Sequence, residues 1–211
     1  VPASLWTKEF LKLCQHRPGS SALAIGLSRP DGTASVFRTV LLPASSTNDA
    51  DNLLHVERTV KFLLWARSGN LVLLSGEQAP ALAKELQAMY APGGVRSFDA
   101  DFVRKLFELP LTFRAVAEQD LPAESTSHLP LGRNLGGCRI GFDLGGSDRK
   151  CAAVIDGHVV FSEEVKWDPY FQPDPAYHLE GIRHSLQIAA AHLPRVDAIG
   201  GSAAGVYINN K

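Results

Sequence analysis

Apolar side chains recur along the chain at two alternating periods. Leu5, Phe10, Leu11 and Leu13 space as one face of a short helix over residues 5–16. Ala22 to Leu27 reads as a strand, Asp31-Gly32 as a hairpin turn, and Ser35 to Leu42 as the returning strand. After the polar stretch 44–51, Asp51 is placed to cap a helix with Leu53, Val56, Val60, Leu63 and Leu64 on one face. Ser68-Gly69-Asn70 stops it, and Leu71–Leu74 is a short buried strand. A helix with Pro in its first turn is predicted from Pro80 to Tyr90. Another spans residues 99–108, with Phe102, Val103, Leu106 and Phe107 along one side. Alternating strands and helices predict an α/β architecture.

Residues 117–137 break the pattern with polar positions and with Pro122, Pro130, Gly132, Gly136 and Gly137. A boundary is therefore expected between an N-terminal α/β domain, residues 1–130, and a second segment, residues 138–211. That segment predicts strands at Ile140–Asp143 and Cys151–Ile155, a two-residue turn at Asp156-Gly157, and a third strand from His158 to Trp167. A helix follows with Leu179, Ile182, Leu186, Ala190 and Leu193 inward, then a short strand at Val196–Ile199 running into Gly200-Gly201. Asp31-Gly32 and Asp156-Gly157 are 125 positions apart, as are Leu71 and Val196. This fits a degenerate repeat of one unit, and equally the common lengths of any hairpin–helix–strand segment.

Composition narrows the classes. The chain has 211 residues, 45% hydrophobic and 20% charged, with a net charge of −1. Residues 1–135 hold 14 basic and 13 acidic side chains, and residues 136–211 hold 7 and 9. Without a basic excess in either part, no nucleic-acid partner is expected. The first 60 residues show no helix-turn-helix spacing. No apolar run approaches the roughly 18–20 residues that span a bilayer, and the three cysteines make no CxxC. A cytoplasmic protein without a membrane partner is expected.

The richest chemistry lies in Asp143-Leu144-Gly145-Gly146-Ser147. An Asp at a strand end holds a carboxylate where it can bind Mg²⁺ through water. Two glycines let the backbone take positive φ and present N–H groups to phosphate oxygens. Ser147 adds a hydroxyl, and Arg149 and Lys150 add positive charge if they turn back. Taken alone, the pentapeptide reads equally as an ordinary glycine turn. Neither GxGxxG opening a helix nor GxxxxGK[ST] occurs, so the glycines here would serve a strand–loop–strand design.

Ile140 to Asn210 resembles the opening of a ROK-family protein, the sugar kinases and related regulators of the actin-like ATPase superfamily. Asp143-Leu144-Gly145-Gly146-Ser147 is similar to that family's first phosphate motif, DxGGT, with Ser in the Thr place. Ala198 to Gly205 resembles its next strand and turn. The resemblance implies an actin-like (ribonuclease H-like) βββαβ unit. It also implies ATP and Mg²⁺ at Asp143, Gly145, Gly146, Ser147 and Lys150, with Asp143 holding the metal through water. Gly201, Ala204 and Gly205 would border a hexose-type sugar. In the kinases the catalytic base is an Asp of an Asn-Asp pair well downstream, followed by a Cys-rich zinc motif and a second Gly-rich loop. This chain reaches Lys211 before any of them. The expectation is thus the N-terminal part of a sugar kinase, inactive alone, that forms a homo-oligomer or pairs with a C-terminal segment. A non-catalytic sugar- or nucleotide-binding or assembly module is the alternative.

Other candidates read as structure. His178, His184 and His192 are spaced by six and eight, which aligns no two metal ligands. Cys138 and Cys151 are expected to be inert, partly buried thiols, and Cys14 completes an odd, unpaired set. Glu163 and Glu164 point to opposite faces of a strand. Trp167, Tyr170 and Phe171 beside Asp168 and Asp174 are expected to form a packed lid, with a sugar-stacking wall as the alternative.

Overall fold

The structure, a computed structural model, describes residues 2–125 and 134–205, and the chain divides into two units, Val1–His128 and Leu129–Lys211. Pro130, Gly132 and the last residues of the family-like stretch lie outside the described residues. The architecture is mixed α/β, with a four-stranded sheet in each unit. No described helix is long and apolar enough to cross a membrane.

The first unit runs α1 (Ala3–His16), β1 (Ser21–Ser28), β2 (Ala34–Leu41), α2 (Asp49–Arg67), β3 (Leu71–Ser75), α3 (Ala79–Met89), α4 (Ser97–Phe107) and β4 (Thr112–Ala115). Its sheet is ordered β2-β1-β3-β4, with β1 antiparallel to both neighbours and β3 parallel to β4. Leu23, Ile25, Val56, Val60, Leu74 and Leu86 form the centre of its core. Each such burial contributes about 1.5–3 kcal/mol. Several polar groups at the core's edge are paired, whereas the Tyr90 hydroxyl has no partner among the described residues. Asn52 accepts from Leu42 N at 3.0 Å and donates to Leu42 O at 2.9 Å, closing the backbone where β2 ends. Buried Glu57 pairs with Arg96, and buried Asp99 accepts from Trp65 Nε1 at 2.7 Å.

The start of α2 differs from expectation. Asp51 does not cap it; the helix begins at Asp49, whose carboxylate accepts from Ser45 N at 3.1 Å. Residues 45–48 already form a turn, so the helix starts earlier, and Asp51 becomes an acidic first-turn residue facing the helix dipole.

The second unit runs β5 (Cys138–Leu144), β6 (Asp148–Ile155), β7 (His158–Lys166), α5 (Pro175–Ala190) and β8 (Ala198–Ala203). The sheet is ordered β7-β6-β5-β8; β6 is antiparallel to β5 and β7, and β8 is parallel to β5. This is the expected βββαβ unit. Asp156 and Gly157 take φ of 48° and 84° and make the two-residue turn. On the α5 side of the sheet, Ile140, Cys151 and Ala153 pack with Ala189.

Two expectations are corrected here. Leu179 is not inward but 47% exposed. Gly181, Ser185 and Ala189, four residues apart, form a stripe of small side chains instead. It brings α5 so near the sheet that a Cβ on Gly181 would lie 3.3 Å from Arg149 Nε. The glycines at 200 and 201 do not end the last strand either. Gly201 pairs with Phe142 in register, and a Cβ there would meet the Phe142 ring at 2.5 Å. Glycine at this point makes room for a neighbour inside a strand.

The 125-residue spacing aligns β1-β2-α2-β3 with β6-β7-α5-β8. In the second sheet β5 stands between β6 and β8, whereas β1 bonds β3 directly in the first. The matched spacing leaves out β5, the strand that carries Asp143.

Candidate functional site

The β5–β6 hairpin aligns Leu144 with Arg149 and Asp143 with Lys150, leaving Gly145, Gly146 and Ser147 as its tip. Gly145 N donates to Asp148 O at 2.9 Å. Neither Gly145 nor Gly146 has the expected positive φ. Gly145 is required by close approach, because a Cβ would sit 2.9 Å from the Asp148 carbonyl oxygen; at Gly146 a Cβ would touch only Tyr170, at 3.7 Å.

Trp167 sets the direction of this loop. Its backbone N–H donates to Ser147 O at 3.1 Å and its indole Nε1 to Gly145 O at 2.8 Å. With both carbonyls tied, the exposed N–H groups of Gly146 and Ser147 donate to no group among the described residues. Two exposed amides left unpaired at a tight turn suit an anion.

Asp143 stands beside them. Its Oδ1 accepts from Ser202 Oγ at 2.6 Å, its register partner on β8, and the other oxygen has no partner among the described residues. Lys150, on the same face, bonds the Asp148 carboxylate and lies 4.0 Å from Glu164. The Asp148 carboxylate holds the Lys150 ammonium above its ordinary range, and Lys150 holds Asp148 below its own. Ser147 Oγ donates to Asp148 at 3.2 Å. Asp143, Lys150, Ala152, Ser162 and Glu164 line a depression of ≈ 480 Å³ over this face.

Arg149 does not join them. It lies on the opposite face, buried, with Nη1 donating to Ser185 Oγ at 3.1 Å. It immediately precedes Lys150, and strand alternation sends the two side chains to opposite faces. The sugar-side candidates also divide. Gly201 lies against Phe142 on the α5 side, away from Asp143. Ala204 N donates to Leu144 O at 2.8 Å, beside the glycine loop, and exposed Gly205 follows with φ of 139°.

Sequence reasoning missed Ser202 and the role of Trp167. The parallel register of β5 and β8 was the needed signal for Ser202, and glycines taken as breakers hid it. Trp167 packs, whereas Tyr170 and Phe171 are 85% and 81% exposed, so the aromatic loop is a packed lid only at its first residue. All three cysteines are buried and free. Among the described residues no cluster of three or more metal-ligating side chains occurs. An Mg²⁺ held through water needs only one carboxylate with a free oxygen near phosphate oxygens, and Asp143, in the same hairpin as the Gly146 and Ser147 amides and with one oxygen free, fits that requirement.

No family model matches the chain, and no curated protein matches it. Among solved structures, the Aquifex aeolicus member of the Ppx/GppA protein family is similar over 87% of this chain, at 14% identity and a TM-score of 0.20. The chain spans 62% of the length of that structure's chain.

Proposed function

We propose that the second unit is the first phosphate-binding part of a ROK-like sugar kinase site, with ATP, Mg²⁺ and a hexose-type sugar as ligands. The observation that carries this reading is the pair of exposed amides at Gly146 and Ser147, without a partner among the described residues, in the same hairpin as a carboxylate steadied by Ser202. The amides and the Ser147 hydroxyl bind phosphate oxygens. Asp143 orients the metal's water shell, and Ser202 fixes the carboxylate rotamer. Lys150 adds charge at the loop's flank. Mg²⁺, when bound, neutralises phosphate charge. Phosphoryl transfer needs charge stabilisation from several directions, and the hairpin supplies one of them.

A non-catalytic binding module is the second reading. It is favoured by the local charge balance: Asp143, Asp148 and Glu164 outnumber the ammonium groups of Lys150 and Lys166 on this face. Without Mg²⁺ this face repels a polyphosphate.

A thermal-shift titration of the 211-residue chain tests the binding claim. Mg·ATP at 100 times its dissociation constant stabilises by about 2.7 kcal/mol. The shift is expected to need Mg²⁺ and to vanish in Asp143→Asn, with no sugar phosphate formed. A full shift in Asp143→Asn removes the phosphate role, and efficient sugar phosphorylation by this chain overturns the expectation of an inactive part.

A further inference from the structure

Tyr170 and Phe171, in the segment between β7 and α5, have no use in the phosphate reading. Their rings are 6.5 Å apart and inclined by 49°. Large apolar groups exposed side by side mark contact sites more often than chance exposure.

The segment that carries them is anchored. Trp167 is tied to both carbonyls of the glycine loop. Asp168 N donates to Tyr177 Oη at 3.0 Å, and the Pro169 carbonyl lies 3.2 Å from His178 Nε2. Asp174 caps α5 by accepting from Ala176 N at 2.9 Å. Pro169, Pro173 and Pro175 restrict the backbone between these points. The two rings therefore project from a fixed support, which lowers the entropy lost when something stacks on them.

Position and charge narrow what that is. Tyr170 Cε2 is the atom nearest to where a Gly146 side chain would start, at 3.7 Å, so its ring borders the free amides. The Asp168 carboxylate, two residues away and exposed, bonds to nothing among the described residues. An aromatic face takes the C–H face of a sugar ring, and a carboxylate accepts from its hydroxyls. A nucleobase also stacks, but its planar ring offers a carboxylate at most an amino group, whereas a hexose carries hydroxyl donors around its ring.

We propose that Tyr170 and Phe171 form the stacking surface for a hexose-type ring beside the glycine loop, with Asp168 accepting from its hydroxyls. The proposal rests on the phosphate reading only for the purpose of this placement, a sugar hydroxyl held next to bound phosphate.

The test titrates the whole chain with D-glucose and N-acetylglucosamine by protein-observed NMR, in parallel with Mg·ATP and Mg·triphosphate. At least one hexose is expected to bind, about tenfold more weakly in Tyr170→Ala and near normally in Tyr170→Phe. Mg·ATP binding should persist in both. Both rings are exposed, so these variants should fold, which circular dichroism checks. No hexose binding, or equal affinity in wild type and Tyr170→Ala, overturns the stacking surface while leaving an Asp143-dependent Mg·ATP effect intact. Loss of Mg·ATP but not Mg·triphosphate in Tyr170→Ala assigns the ring to the base and overturns it too. Tyr170-dependent hexose binding in a chain that ignores Mg·ATP supports the surface and rejects the phosphate reading alone.

Discussion

A side chain on Gly145 would meet the Asp148 carbonyl oxygen at 2.9 Å, whereas one on Gly146 would meet only the Tyr170 ring. Backbone cannot step aside as a flexible side chain can. Gly145→Ala is therefore expected to destabilise the protein by about 1–3 kcal/mol, and Gly146→Ala by no more than about 0.5 kcal/mol, in denaturant unfolding. Equal effects would remove the distinction. Adjacent identical letters conceal this difference: the motif was legible, but its reason was not. A strand–loop–strand with two glycines suggests positive φ, yet neither residue adopts it. Close approach depends on where Asp148 turns, which no local pattern encodes. Ser202 was hidden similarly, since its partner Asp143 is 59 positions away.

At the scale of elements, His55 on α2 joins two others. It stacks on Phe10 of α1 at 4.5 Å, and its Nε2 lies 2.8 Å from Thr39 Oγ1 of β2. Trp6, stacked on Phe10 at 5.2 Å, sits under the Arg58 guanidinium. Burial pushes the His55 pKa from 6.5 down to about 4. The unfolded chain thus takes up this proton near pH 6.5, and the folded chain only near pH 4. Stability is full above the upper value and falls between them by about 2–3 kcal/mol. His55→Phe should flatten that part of the stability–pH curve, measured by urea unfolding; an unchanged slope assigns it to other groups. The helices and hairpins of both units were readable from period and turn residues, because those signals are local. The insertion of β5 between β6 and β8 was not, since strand order is decided by pairing across the chain.

At the scale of the whole molecule, burial is uneven. Among the described residues, the first unit gathers 21 buried residues in its core cluster and the second four. Fewer buried side chains hold the sheet that carries the candidate site. Amides of β5–β8 are therefore expected to exchange with deuterium faster than those of β1 and β3. Mg·ATP should slow the β5–β6 amides selectively. Uniform exchange across both sheets would contradict the unequal burial argument. The local opening this implies suits a site that closes on a ligand, since binding sites draw on the less stable parts of a fold.

The tie between Trp167 and the two loop carbonyls also makes the site optically visible. The chain has three tryptophans, and Trp6 and Trp65 belong to the first unit. An indole whose N–H is bonded to the Gly145 carbonyl feels any redistribution of charge along that peptide. Phosphate drawing on the neighbouring amides would polarise the same bonds and shift its emission. With Trp6 and Trp65 replaced by phenylalanine, the remaining fluorophore would report occupancy of the glycine loop without a label or an assay of turnover.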